Sequence, residues 1–404
     1  MIENGIVTRP ALTPPMLWDI EHYKKEGLYF YLEPTEELLP NGRVITQNHG
    51  EMIMLGSYSY LGLIGHPRIN AAATAAVNHY GTGTHGVRLL AGSLVVHEEL
   101  EARIAAFKNS EAAITMSSGY VTNLATISSL LRRGDTVICD KLNHASIVDG
   151  CLLAQAKFTR FRHNDMDHLE KRLREAKGNG RLLVIADSVF SMDGDIIDLP
   201  TVSRLCKKYN AYLMIDEAHS IGVLGETGHG IEEHFDMPAD TVDIKMGTLS
   251  KTIPSAGGYI AGNRELITFL KHEARAFIFS AALPPASAAA AKVAFDVIEE
   301  EPWRVKKLQD NYHHFANRLH DAGFDLLHTE TAIVPVICGS TDKAAFLAKY
   351  CRDRNIFVQA VISPVVPEGL ARLRACVSAA HKTKDIDYCV DVIIEGGKRL
   401  GIIE

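Results

Sequence analysis

From about residue 66 the chain alternates short apolar runs with stretches of helical hydrophobic spacing, and that alternation sets the fold expectation. Pro67–Tyr80 is alanine-rich, opens on a proline and predicts a helix. Gly81–Gly92 is glycine-rich and predicts a loop. His97–Phe107 predicts a helix with acids early, where the helix dipole favours them. Strand candidates then recur at Ala112–Thr115, Thr136–Cys139, Leu182–Ala186, Ala211–Ile215 and Ile244–Met246, with helices beginning near Tyr120 and Ser146. Short apolar strands joined by helices indicate a mostly parallel sheet covered on both faces. Active sites in such folds sit at the carboxyl ends of the strands.

The flanks read differently. Trp18–Lys25 predicts a short helix, Leu28–Pro40 a connecting arm, and Val44–Thr46 with Met52–Leu55 a small hairpin around His49-Gly50. Ala281–Ala291 holds two prolines and predicts a helix starting after a turn. A long amphipathic pattern over 290–320 is interrupted at Pro302. Ile333–Cys338, a helix over Asp342–Asn355, Phe357–Ile362 and Leu373–Val377 then describe a second, smaller α/β unit. The organisation expected is an N-terminal arm and small-domain segment over 1–55, a large domain over 56–290 and a C-terminal small domain over 291–404.

Composition narrows the function classes. The 404 residues are 47% hydrophobic with a formal charge of −7. No basic stripe exists for a nucleic acid. No run of 18 or more apolar residues predicts a membrane span, and residues 1–20 have no signal-peptide pattern. Seven scattered cysteines without a CxxC argue against a disulfide framework and a zinc site. The expectation is a cytoplasmic protein without a metal.

The chemistry sits at the strand ends. Tyr212-Leu-Met-Ile-Asp216-Glu-Ala-His219 puts an acid after four apolar residues, where an anionic group can pair with a protonated ring nitrogen. Met246-Gly-Thr248-Leu-Ser250-Lys251-Thr252 sets a lysine among small hydroxyl residues ahead of Gly257-Gly258. A surface lysine is the ordinary reading of any single lysine, but one in such a loop is a candidate Schiff-base nucleophile. Ser117-Ser118-Gly119-Tyr120 follows a strand and opens a helix, a place for an anion. Asn143-His144 and Asp187-Ser188 close two more strands. His144 is either a core histidine or a ring that stacks on a flat ligand, and Ser188 is a candidate contact to the same ligand. Four strand ends converge on one ligand type: planar, phosphorylated and carrying a basic ring nitrogen, as pyridoxal phosphate (PLP) is.

In the order and spacing of these motifs, together with Tyr60-Leu-Gly62-Leu and His66-Pro67, the sequence resembles the α-oxoamine synthases of the fold-type I PLP enzymes over about Gly56–His381. The resemblance implies an α/β transferase with a mostly parallel large-domain sheet and a smaller α/β C-terminal domain. It implies that Lys251 carries the cofactor, Asp216 holds the ring nitrogen protonated, His219 bonds the ring hydroxyl and His144 stacks on the ring. Ser118, Gly119, Tyr120 and Thr248 would hold the phosphate, with Ser188 on the ring-hydroxyl side. Arg374, in preference to Arg372, would grip the amino-acid carboxylate, a task suited to a bidentate fork. Ser280, before Leu283-Pro284-Pro285, would complete the partner subunit's phosphate site in a homodimer. The Gly81–Gly92 loop would lie near the acyl entrance.

The implied reaction condenses a small amino acid (alanine, glycine or serine) with an acyl thioester of coenzyme A or acyl carrier protein, usually with decarboxylation, giving an α-amino ketone. The alternatives are an aminotransferase or carbon–sulfur lyase on the same fold and a non-enzymatic interaction protein. Tyr58 stands where the family often has asparagine, at the amino-acid end, and Ala281-Ala282 replace residues that are commonly polar.

Overall fold

The computed structural model describes residues 2–3, 6–7, 20–176 and 180–404. Two short strands, β1 (Ile2–Glu3) and β2 (Ile6–Val7), pair antiparallel at the start. A hairpin-rich segment follows: β3 (Thr35–Leu39), β4 (Arg43–Thr46) and β5 (Gly50–Met54). The arm expected over Leu28–Pro40 therefore contains a strand, paired along β4. The helix expected at Trp18–Lys25 covers Ile20–Lys25, and Trp18 lies outside the described residues.

The central sheet has seven strands: β6 (Ala112–Met116), β7 (Thr136–Asp140), β8 (Lys157–Phe161), β9 (Leu182–Asp187), β10 (Tyr212–Asp216), β11 (Ile244–Thr248) and β12 (Gly258–Gly262). Their order is β6-β12-β11-β10-β9-β7-β8. Only β12 runs against its neighbours. All six residues of β9 are buried. Full burial of a Leu, Val or Ile side chain is worth roughly 1.5–3 kcal/mol, which is why an unbroken apolar run settles in the middle of a two-sided sheet. Helices Gly119–Leu130, Ala145–Leu153 and Arg264–Glu273 enclose one core on the sheet. A larger core spans the other face and continues into the smaller sheets. Because β6, β7, β9, β10 and β11 share a direction, their carboxyl ends open on one edge.

The C-terminal strands are β13 (Ile333–Gly339), β14 (Ile356–Phe357), β15 (Gln359–Val361) and β16 (Ala371–Cys376). They form an antiparallel sheet β13-β16-β15, while β14 joins β5 in parallel and extends the N-terminal hairpin. The single strand expected over Phe357–Ile362 is thus split between two sheets at the buried Val358. Pro302 separates two helices, Pro285–Glu300 and Trp303–Asp321, and the first runs unbroken across position 290. Gly81–Gly92 is not all loop: Arg88–Gly92 forms one wide helical turn. Among the described residues no helix is long and apolar enough to cross a membrane.

Candidate active site

The carboxyl edge of the large sheet holds a cavity of about 270 Å³ walled by residues that include Ser118, His144, Asp187, Asp216, Thr248 and Lys251. Ser118 caps the helix that leaves β6, its Oγ accepting from Val121 N at 3.2 Å. The first-turn amides of such a helix have no partner inside it. A Cβ on Gly119 would come within 3.0 Å of Thr248 Oγ1, so a glycine lets this turn approach β11. Thr248 and Ser250 hydroxyls lie 2.9 Å apart beside it. Free amides and two hydroxyls form a cradle for a phosphate.

Deeper in the cavity, a polar chain ties two strand ends together. Asp216, buried at the end of β10, accepts from Asn123 Nδ2 at 2.7 Å and from Ala218 N at 2.9 Å. Asn123 also donates to Ser146 Oγ at 2.9 Å, and Ser146 Oγ sits 2.8 Å from His144 Nδ1. The His144 amide donates to Asp187 at 3.1 Å. Burial, then the neighbouring Asp216 charge, pushes the Asp187 carboxyl well above the usual range. Tyr120 bonds Asp149 and stands edge-on to His144 at 6.2 Å.

Lys251 closes the cavity. Its Nζ lies 2.7 Å from His219 Nε2, and His219 Nδ1 lies 2.7 Å from Tyr60 Oη. Burial pushes the Lys251 ammonium down to about 8, against the pull of Asp216 and Asp187. The same desolvation holds His219 well below the ordinary imidazole range, with Lys251 and Arg374 adding to it. An amine that loses its proton near neutrality is a competent nucleophile. Arg374 and Tyr58 flank it: the Tyr58 ring is 5.6 Å from Lys251 Nζ and 5.0 Å from the Arg374 guanidinium.

These residues fit PLP. The cavity wall carries a phosphate cradle, a carboxylate and an amine, and two buried side-chain oxygens on it, Asn123 Oδ1 and Asp187 Oδ1, have no partner. One expectation is corrected: the Ser188 hydroxyl does not face the cavity but donates to the Asp216 carbonyl at 2.8 Å, fully buried. Ser280 lies apart, in a hollow with Arg88 and Ser117. Gly81–Gly92 supplies no lining residue to this cavity; Gly86 and Val87 are tied to Ala282 and Ala281. Sequence reading missed Asn123, whose signal was the single amide side chain of the helix Gly119–Leu130, one turn past Gly119. It also gave Tyr60 no role beyond its motif.

His163, Asp193 and Asp195 bring ligand-type atoms within 4.8 Å of one another. They are engaged elsewhere: both His163 nitrogens pair with Asp140 and Asp195 at 3.0 and 2.9 Å, and Asp193 pairs with Arg372.

A cavity of this construction on this sheet defines a fold-type I PLP enzyme. The profile of the family described as aminotransferase class I and II matches residues 50–393, and the chain belongs to that family. It is 43% identical to 8-amino-7-oxononanoate synthase of Thermoanaerobacter pseudethanolicus, over 95% of this chain and 97% of the other. It is 41% identical to the synthase of the same name from Geobacter sulfurreducens, over 97% and 100%. A solved variant of serine palmitoyltransferase from S. paucimobilis, with a bound PLP–myriocin aldimine, superposes with a TM-score of 0.92 at 30% identity, covering 95% of this chain and 97% of that one. Within the family the chain is an α-oxoamine synthase: a PLP-dependent acyltransferase that condenses a small amino acid with an acyl thioester, usually with loss of carbon dioxide.

Proposed function

We propose that the chain makes 8-amino-7-oxononanoate from L-alanine and a seven-carbon acyl thioester with a terminal carboxylate, carried by coenzyme A or acyl carrier protein. The observation that carries this reading is the full-length identity of 43% and 41% to relatives named for that product. The product name fixes the carbon count. Carbons 8 and 9 with the amine are alanine without its carboxylate, and carbons 1 to 7 are the acyl group.

Bound PLP supplies an electron sink for a carbanion at the amino-acid α-carbon. In this reading Lys251 holds the cofactor and then moves the α-proton, a task suited to an amine near its pKa at working pH. Asp216, positioned by Asn123, pairs with the ring nitrogen. His219 bonds the ring hydroxyl, and His144 stacks on the ring. Ser118, Gly119, Tyr120 and Thr248 hold the phosphate, and Ser280 serves the partner subunit's site. Arg374 takes the alanine carboxylate, and Tyr58 beside it restricts the side chain to a small one. A second cavity of about 650 Å³ opens from Lys251 and is lined by Leu38, Val44, Met54, Ile64, Ile69 and Phe357. Its apolar wall suits the methylene chain of the acyl group.

The enzyme works as a cytoplasmic homodimer in this reading. Leu89, Leu90 and Phe279 are 69%, 83% and 72% exposed, an apolar surface that a second copy would cover. Sedimentation at micromolar concentration is expected to give a dimer. The substrate test is a matrix of L-alanine, glycine and L-serine against acyl-CoA and acyl-carrier thioesters of graded length, with and without a terminal carboxylate. L-alanine with the seven-carbon carboxylated donor is expected to give the highest kcat/KM, with release of carbon dioxide. A higher value for any other pair refutes the assignment.

A further inference from the structure

Strand β16 carries two arginines on one face. Side chains two apart on a strand point the same way. Arg372, Arg374 and Cys376 therefore share one side, while Ala371, Leu373 and Ala375 pack into the core on the other. Both arginines are nearly sealed from water, at 1% and 6% exposure. A buried guanidinium must be paired and hydrogen-bonded or it destabilises the fold strongly.

The two meet this requirement differently, and both do so through a single turn. Arg372 donates to Leu370 O and Met192 O at 3.0 Å each and pairs with the Asp193 carboxylate. Arg374 donates from Nε to Ser191 O at 2.6 Å and from Nη1 to Cys376 Sγ at 3.0 Å, while its Nη2 is buried with no partner. So one arginine has a carboxylate from the protein, and its neighbour has none.

The turn they grip is fixed from the far side as well. Asp195 pairs with His163 at 2.9 Å. The Gly194 carbonyl accepts from Thr331 Oγ1 at 2.9 Å and from Glu330 N at 3.1 Å. Gly194 has φ +79°, and a Cβ there would fall 2.2 Å from Ile333 O. The turn is thus held by the segment leading into β13 and by His163 just beyond β8.

We propose that Asp193 is a positioning residue for substrate recognition: by neutralising Arg372 it locks β16 against the Ser191–Asp195 turn and leaves Arg374 as the arginine free to take the amino-acid carboxylate. Asp193 acts through Arg372 and touches no substrate. The inference rests on the reading of Arg374 as the carboxylate receptor. No residue of β16 lines the cofactor cavity, so the effect should fall on the amino acid and spare PLP.

The test uses the PLP holoenzyme, titrated with L-alanine and followed by the absorbance of the bound cofactor. Asp193→Asn is expected to raise the Kd for L-alanine by about tenfold or more, since a displaced guanidinium fork loses part of its charge-assisted bidentate pair with the carboxylate. The Kd for PLP should stay within about twofold, and Asp193→Glu should recover most of the L-alanine affinity. Should Asp193→Asn fail to fold, Arg372→Lys replaces it, because a single ammonium keeps the charge but loses the fork that spans Met192 O and Asp193; it is expected to weaken L-alanine binding in the same way. An unchanged L-alanine Kd in both, with only a lower melting temperature, overturns the proposal. Arg374→Ala run in parallel separates the two levels: weakened binding there alone overturns only the role of Asp193, and no effect in any variant overturns the Arg374 reading and this proposal with it.

Discussion

Both ends of the central sheet hold cavities, and the amino-end one exceeds the space walled by His144, Asp216 and Lys251, although the cavity of about 650 Å³ that Lys251 also borders exceeds both. At the amino end, a space of about 360 Å³ lies among Leu131, Leu183, Tyr212, Ile244, Leu266 and Phe269. At the carboxyl end, the space around Lys251 is about 270 Å³. The difference lies in where the polar groups are committed. At the amino end Asp243 accepts from Leu213 N, Asn263 caps its helix through Leu266 N, and Arg181 donates to Leu130 O, each at 2.7 Å. Those groups finish the backbone. At the carboxyl end Asn123 Oδ1 and Asp187 Oδ1 are buried and unpartnered, and an amine, two imidazoles and two carboxyls face one space. Convergence of uncommitted polar groups marks the site, and volume does not.

That contrast is open to direct attack. Lys251→Ala should have the largest effect, lowering condensation of L-alanine with its thioester by at least about 10³-fold, since Lys251 is proposed as both the nucleophile and the proton carrier. Steady-state turnover measures it, and activity within tenfold of the parent would break the comparison. Asp216→Asn keeps the shape and the Asn123 contact region but removes the charge proposed to pair with the ring nitrogen. It should cost about 2–5 kcal/mol in transition-state stabilisation, read from kcat/KM.

A pH experiment sharpens the same point. Only an unprotonated amine attacks an aldehyde. Lys251 is pushed down to about 8, so the rate at which apoenzyme captures PLP should rise as pH climbs through about 8 and level above it. A rise centred near 10.5, the ordinary lysine value, would place Lys251 in a solvated setting instead. The smallest effect belongs to the amino end. Asp243→Asn should change stability by about 0.5–1.5 kcal/mol, the worth of one hydrogen bond, and leave kcat/KM within about twofold. A large loss of activity there would mean that the two ends are not independent.

The sequence made the site legible where its residues lie on strands buried on both faces. β9 and β10 read directly because an unbroken apolar run ending in a polar residue has one natural place in a parallel sheet, and β11 read in spite of Lys245, whose buried ammonium pairs with Glu232. β8 did not, since Lys157, Thr159 and Arg160 alternate with phenylalanines on an edge strand. β12 did not either, because it begins and ends on glycine. The structure explains that choice: a Cβ at Gly258 would come within 2.6 Å of Thr122 Oγ1 and 2.8 Å of Gly119 Cα. The strand gave up side chains so that the phosphate-side turn could press against it. The pairing of β5 with β14, three hundred residues apart, leaves no local trace. Ser188 shows the limit at the site itself. Its position at a strand end was readable, but the direction of its hydroxyl, towards the Asp216 carbonyl, was decided by packing.

The central claim is that Lys251, at the carboxyl edge, is the residue to which the cofactor is joined. Borohydride reduction of the PLP holoenzyme fixes that bond, and peptide mass mapping then locates it. The account predicts one cofactor-bearing peptide, the one containing Ser250-Lys251-Thr252. A cofactor found on any other lysine, with Lys251 unmodified, would contradict it.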